Sequence, residues 1–153
     1  MIDYTLDHIL SYTGTLAGAP EIIGPVPEGV RVNFYSIGGE INAGKIRGKV
    51  RPVGGDWMTV RRDGVAIVDV RATFETDDGA LILVIYPGVI DLGEDGYEKF
   101  LRGELPSTAR IRTSPRFLTS HPKYLWLNRL HCVGVGEYSA ASNTATYDVY
   151  AIR

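Results

Sequence analysis

The chain has 153 residues, with Lys+Arg 16 against Asp+Glu 18 and a formal charge of −2, which is one domain by length with enough chain for one core. A near-neutral balance without a long basic run argues against a nucleic-acid footprint, and the lone Cys132 excludes an intrachain disulfide and a Cys-based zinc site. Arg outnumbers Lys by 12 to 4, and the planar guanidinium suits carboxylates.

The first residues, MIDYTLDHIL, carry Asp3 and Asp7 and no basic residue, unlike a secretory leader. No run approaches the length of a membrane span. The expectation is a cytoplasmic protein with a reduced thiol.

Period-2 alternation dominates the chain. Residues 2–12 read as a strand with Ile2, Tyr4 and Leu6 on one face. Residues 17–29, with Pro20, Pro25 and Pro27, read as a long irregular loop at a rim. Residues 31–37 and 40–51 follow as strands, the second interrupted at Gly44 and Gly48. Runs 57–62 and 65–76 join at Arg62-Asp63-Gly64, and Asp77-Asp78-Gly79 is the clearest hairpin signal. It leads into 80–86, apolar on both faces and so a central strand. The one helix expected is 94–102, with acids first and Arg102-Gly103 last. Runs 109–118, 124–135 and 144–152 supply three more strands, the last placing Tyr147, Val149 and Ala151 on one side. Eight to ten strands with frequent turns predict a sandwich or a closed barrel. A single antiparallel β-barrel of about 8–10 strands with one short helix, spanning 1–153, is the reading adopted.

Polar residues mark the candidate site. In 67–76 one face carries Asp69, Arg71, Thr73 and Glu75, and the other carries Val68, Val70, Ala72 and Phe74. The polar face is either an ordinary outer face, where ion pairs contribute little, or the wall of a wet lumen able to hold a small ligand. In 123–133, Tyr124, Trp126 and Asn128 share a face whose aromatic bodies and polar tips suit a pocket wall or a packed core. Gly54-Gly55-Asp56-Trp57 reads as a tight turn that opens a strand. Asp56 either caps that turn or faces the barrel mouth as an acid or base, with Trp57 shaping the pocket. Arg112, which alternates with Arg110, is either solvated or held against an acid or an anionic ligand. His8, His121 and His131 show no ligand spacing, and Cys132 reads as a small buried filler. There is no Gly-x-Ser-x-Gly elbow, no P-loop and no dinucleotide fingerprint. No metal and no cofactor are expected.

The ordered set of Gly38-Gly39, Gly48-Lys49-Val50-Arg51-Pro52, Gly54-Gly55-Asp56-Trp57, Asp69-Val70-Arg71, Glu75 through Ile82, Arg112 through Phe117 and Tyr124 through Arg129 resembles the domain of unknown function 3237 family. The resemblance covers nearly the whole chain from about residue 30. It implies a compact β-barrel with a lipocalin-like or calycin-like look and no settled activity. It also places Asp69, Arg71 and Glu75 on segments that match the family pattern, which favours the lumen reading for them. Leu118 stands where the family pattern usually carries Glu.

Two function classes follow. The first is a cofactor-free acid/base enzyme of the isomerase, cyclase, hydratase or lyase type, acting on a small, partly apolar or aromatic molecule that can carry an anionic group. Asp69, Glu75 and Asp56 would be its acid/base residues, and Arg71 or Arg112 would hold an oxyanion. Tyr124 and Asn128 would donate hydrogen bonds, and Trp57 and Trp126 would stack on a ring. The second is a non-catalytic small-molecule carrier with the same cavity, beside which stands a plain assembly module. No nucleic-acid or membrane partner is expected. A homodimer is the expected assembly, paired across any open sheet edge.

Overall fold

The computed structural model describes residues 1–153. Ten strands form one continuous sheet: β1 (Leu6–Leu16), β2 (Glu21–Val26), β3 (Gly29–Gly44), β4 (Gly48–Val60), β5 (Val65–Thr76), β6 (Leu81–Asp91), β7 (Thr108–Thr113), β8 (Arg116–Leu118), β9 (Cys132–Ser139) and β10 (Thr144–Ile152). The order β1-β10-β9-β7-β6-β5-β4-β3 closes through β1–β3 pairing into an eight-stranded antiparallel barrel. β2 extends the upper part of β3, and β8 pairs with the start of β6. One helix, α1 (Gly96–Leu101), and one 3₁₀ helix, Pro122–Arg129, complete the fold. No helix is long and apolar enough to cross a membrane.

Strand alternation sets the interior. On β5, Ala66, Val68, Val70, Ala72, Phe74 and Thr76 are buried, while the residues between them lie on the outer face. On β10 the inward set is Ala145, Tyr147, Val149 and Ala151, as the alternation predicts. The barrel end that carries the β3–β4 and β5–β6 turns is plugged. Ile9, Leu10, Phe74 and Ile82 fill it from the strands, Ile46 folds in from the β3–β4 turn, and Leu127 enters from the 3₁₀ helix. The Asp77-Asp78-Gly79 hairpin locks that plug. Asp78 Oδ1 accepts hydrogen bonds from Thr76 Oγ1 at 2.6 Å and Tyr124 Oη at 2.8 Å, and Lys123 Nζ donates to Oδ2 at 2.6 Å. The Lys123 ammonium and these two hydroxyls hold the Asp78 carboxyl well below the usual carboxylate range.

Three segments differ from the sequence expectations. Residues 2–5 precede β1, and Ile2 and Tyr4 are exposed. The Pro-rich 17–29 segment contains β2, an edge strand whose Pro25 needs no ladder donor on its free side. Residues 122–129 alternate like a strand but form a 3₁₀ helix, because Pro122 at its start presets φ and supplies no N–H.

Candidate functional site

The other end of the barrel, beneath α1 and the β4–β5 turn, is hollow. A cavity of about 120 Å³ runs down the lumen, a size near that of cavities that hold one benzene-sized ring. Small inward residues create the space: Gly14, Ala72, Ala109 and Ala145 all border it. A Cβ added to Gly14 would meet only Ala145 O, at 3.9 Å. Phe100 of α1 and Leu105 of the following loop close the cavity from above.

The floor is a cluster of three buried tyrosines. Tyr12 and Tyr147 stack with ring centroids 4.9 Å apart, and Tyr86 meets Tyr147 edge-on at 5.6 Å. Gly136, opposite Tyr147, makes room for that ring: a Cβ there would lie 2.4 Å from a ring carbon. Tyr12 Oη donates to Tyr86 Oη at 3.0 Å. Burial pushes all three phenols well above their ordinary pKa, so they are hydrogen-bond donors across the physiological range.

One carboxylate faces this cavity. On β4, Asp56 sits between Phe34 of β3 and Val70 of β5, both inward residues. The two preceding glycines allow this placement. Gly54 has φ 93°, and a Cβ would fall 2.1 Å from Arg71 O; at Gly55 it would fall 2.2 Å from Phe34 O. Strands β3 and β5 therefore close on β4 as nothing larger than glycine permits, next to an irregularity between Val50 and Gly54. The motif is a bulged stretch within a strand and not the turn expected from the sequence.

Asp56 Oδ1 accepts the backbone N–H of Asp69 at 2.9 Å. Burial in the lumen pushes its carboxyl up to about 7. The Asp69 N–H opposes that rise, the Asp69 charge adds to it, and Arg31 opposes it. Near neutral pH this carboxyl is shared between its acid and base forms, the condition for moving a proton in either direction.

The other sequence-derived site residues do not gather here. Asp69, Arg71 and Glu75 lie on the outer face, so the polar stripe of β5 is a solvent face and not a lumen wall. Arg71 Nη1 pairs with Asp69 Oδ1 at 3.1 Å, and Glu75 pairs with Lys49 at 3.2 Å and Arg51 at 3.5 Å. The physical reason is the apolar alternate face, Val68, Val70, Ala72 and Phe74, which a closed barrel must turn inward. Arg71 borders the cavity beside Gly55, but its guanidinium lies outside, 5.7 Å over the Trp57 ring. Trp57, alternating with Asp56 and Met58, points outward and supports that guanidinium instead of shaping the pocket. Arg112 is exposed and donates to the backbone oxygen of Ile111 at 2.8 Å.

Tyr124, Trp126 and Asn128 belong to the plugged end. Tyr124 anchors the 3₁₀ helix to Asp78, and Trp126 packs on the core. Asn128 bridges the Thr119 N–H and carbonyl, both at 2.9 Å. Cys132 is buried, and burial pushes its thiol up to about 11, in keeping with a filler.

Sequence reasoning missed Tyr12, Tyr86 and Tyr147. Each sits on an inward alternation among aliphatics and reads as core. Their common signal is register: Tyr12 lies opposite Tyr147 in the β1–β10 ladder, and a tyrosine pair in a barrel interior needs hydroxyl partners.

Comparison with known proteins identifies the family and the fold. Residues 4–152 match the family model described as protein of unknown function (DUF3237). A UPF0311 protein of Rhodopseudomonas palustris is 33% identical over 131 residues, covering 84% of each chain. A protein of unknown function from Clostridium acetobutylicum has the same fold, with TM-score 0.87 and 27% identity over 99% of this chain and 100% of that one. A structure described as an enzyme from Penicillium herquei aligns with TM-score 0.66 and 21% identity over 100% of this chain and 97% of that one, a likeness of fold.

Proposed function

The chain belongs to the DUF3237 family, a family of uncharacterised small β-barrel proteins, and from that premise we propose that its lumen binds a small, ring-bearing molecule and moves a proton on it, with Asp56 as the acid/base group. The observation that carries this reading is a single carboxyl, pushed up to about 7 by burial, facing a mostly apolar cavity. Perturbed carboxyls in clefts cluster at functional sites.

The chemistry follows from the neighbours. Asp56 in its base form removes a proton from a carbon next to a substrate carbonyl. The electron pair moves onto the carbonyl oxygen as an enolate, and Asp56 returns the proton at the same carbon or at a conjugated one. Tyr86, whose Oη accepts the Tyr12 hydrogen bond and which borders the cavity, is the phenol that would donate to the developing oxyanion. The reaction class is isomerisation or a related cyclisation or elimination that begins with proton removal. The lumen holds no cationic side chain to neutralise an anionic head, which favours an uncharged ring at this depth.

The test uses phenylacetone as a one-ring carbonyl probe in deuterium oxide, followed by NMR. The protein accelerates exchange of the acidic protons over buffer, and Asp56→Asn lowers that acceleration by about 100-fold or more. Exchange at the buffer rate, or acceleration that survives the substitution, contradicts the proposal. The carrier reading draws on the apolar walls and on the internally paired tyrosine hydroxyls, and saturable probe binding without exchange would favour it.

A further inference from the structure

The barrel wall has a seam that lacks a backbone ladder, where β6 ends beside the start of β7. The β5–β6 ladder runs unbroken from Val65 opposite Asp91 to Glu75 opposite Leu81. On its other side β6 pairs with β7 at Gly88–Ile90, receives the Ser114 N–H on Pro87 O and pairs with β8 at Leu83–Ile85, so β7 lacks a β6 partner only over Thr108–Arg110. Above Ile90 the two strands part company. The Leu92 N–H donates to Gly64 O at 3.0 Å, which carries the β5–β6 register one residue past the end of β6. On the other side of the seam, Ser107 O accepts the N–H of Ala140, tying the start of β7 to the end of β9 at 2.8 Å. The gap is filled by side chains and not by a backbone ladder: Leu92, Phe100, Leu105 and Ala109 border the lumen cavity and also a second, outer cavity.

That outer groove is polar, and its free charges have both signs. Lys99 is paired with Asp95 at 2.7 Å and Glu104 with Arg102 at 2.7 Å. Arg110 and Glu137, which face each other across the β7–β9 ladder, border the groove and form no ion pair. Asp91, across the seam from them, spends its carboxylate on the Gly93 N–H at 2.9 Å. A purely anionic group in the groove would meet Glu137 and Asp91, and a purely cationic one would meet Arg110. A zwitterion satisfies both signs.

We propose that the β6–β7 seam is a lateral portal, and that the ligand lies across it with its ring in the lumen and a zwitterionic arm in the outer groove, carboxylate on Arg110 and ammonium on Glu137. The ligand class is then that of an aromatic amino acid or a close derivative. This rests on the lumen being the ligand site proposed above, and it adds the second half of that site.

The experiment compares phenylalanine, phenylpropionate and phenethylamine, which share a ring and differ in the charge of the arm, by protein-observed NMR titration. The full chain binds phenylalanine about tenfold or more tighter than either single-charge probe, in line with charge-assisted hydrogen bonds at both ends. Arg110→Gln removes the preference over phenethylamine, and Glu137→Gln removes the preference over phenylpropionate. Both residues are exposed on the outer face, so the variants keep the wild-type fold, which circular dichroism checks. Asp56→Asn retains the ranking whatever becomes of proton exchange, so loss of the chemistry and loss of the portal are separable. Equal affinities for the three probes, no binding of any of them, a ranking untouched by the two Gln variants, or phenethylamine bound best through Asp56 would each overturn the proposal.

Discussion

The plugged and the hollow end of this barrel are built by the same strands, and they differ in the volume of the inward side chains. At the plugged end, Phe74, Ile82, Leu10 and Ile9 interdigitate, and Ile46 and Leu127 enter from outside the strands. At the hollow end the same alternation delivers Gly14, Ala72, Ala109 and Ala145. One end gains stability from close packing. The other gives some of it up for a cavity and a carboxyl held away from water. Division of labour along one barrel axis thus comes from side-chain size at inward positions and needs no second domain.

The contrast is sharpest under truncation. Phe74→Ala removes a fully buried ring that packs edge-on against Tyr12 at 4.9 Å and costs about 3–5 kcal/mol in denaturant unfolding. Ala145→Leu, which fills space at the hollow end, leaves stability within about 1 kcal/mol of wild type and abolishes probe binding. Equal destabilisation by the two would break the comparison.

The next effect is on pH dependence. Burial raises the Asp56 pKa to about 7 from an ordinary value of 3.8, so in the intermediate range the folded protein holds a proton that the unfolded chain has released. Stability from this group is complete below about pH 4, declines as pH rises through about 7, and is flat above. The full span is at most about 4 kcal/mol, lessened by solvent in the lumen. Asp56→Asn removes this decline, so its unfolding free energy changes less between pH 4 and 8 than that of wild type. A parallel decline in both proteins would assign the pH dependence to other groups.

The smallest effect is expected on the outside. Asp69→Asn and Glu75→Gln break half-exposed ion pairs and change stability by about 0.5 kcal/mol or less. Glu75→Gln, remote from Asp56, leaves the phenylacetone exchange rate unaltered.

Much of the barrel was legible in the sequence, because turn chemistry at Asp77-Asp78-Gly79 and alternation on 65–76 and 144–152 are local properties. The site was harder to read. Alternation on β5 says that one face is buried without saying whether the other meets water or a lumen, and the resemblance to a family tipped that choice toward the lumen. The closed barrel reverses it, since the Val and Phe side chains need the interior more than the charges do. Asp56 was legible only as one of two alternatives, because its inward direction depends on how closely neighbouring strands approach Gly54 and Gly55. The tyrosine floor was hidden because its three members come from β1, β6 and β10, far apart in the chain.

The central claim is that Asp56 is a lumen carboxyl poised near neutrality. It is tested most directly by ¹³C NMR titration of the Asp56 carboxyl carbon, assigned by its disappearance in Asp56→Asn. The account predicts a midpoint at about 7. A midpoint near the ordinary value of 3.8 would mean that the carboxyl is hydrated and ionised throughout the neutral range, and would contradict the account.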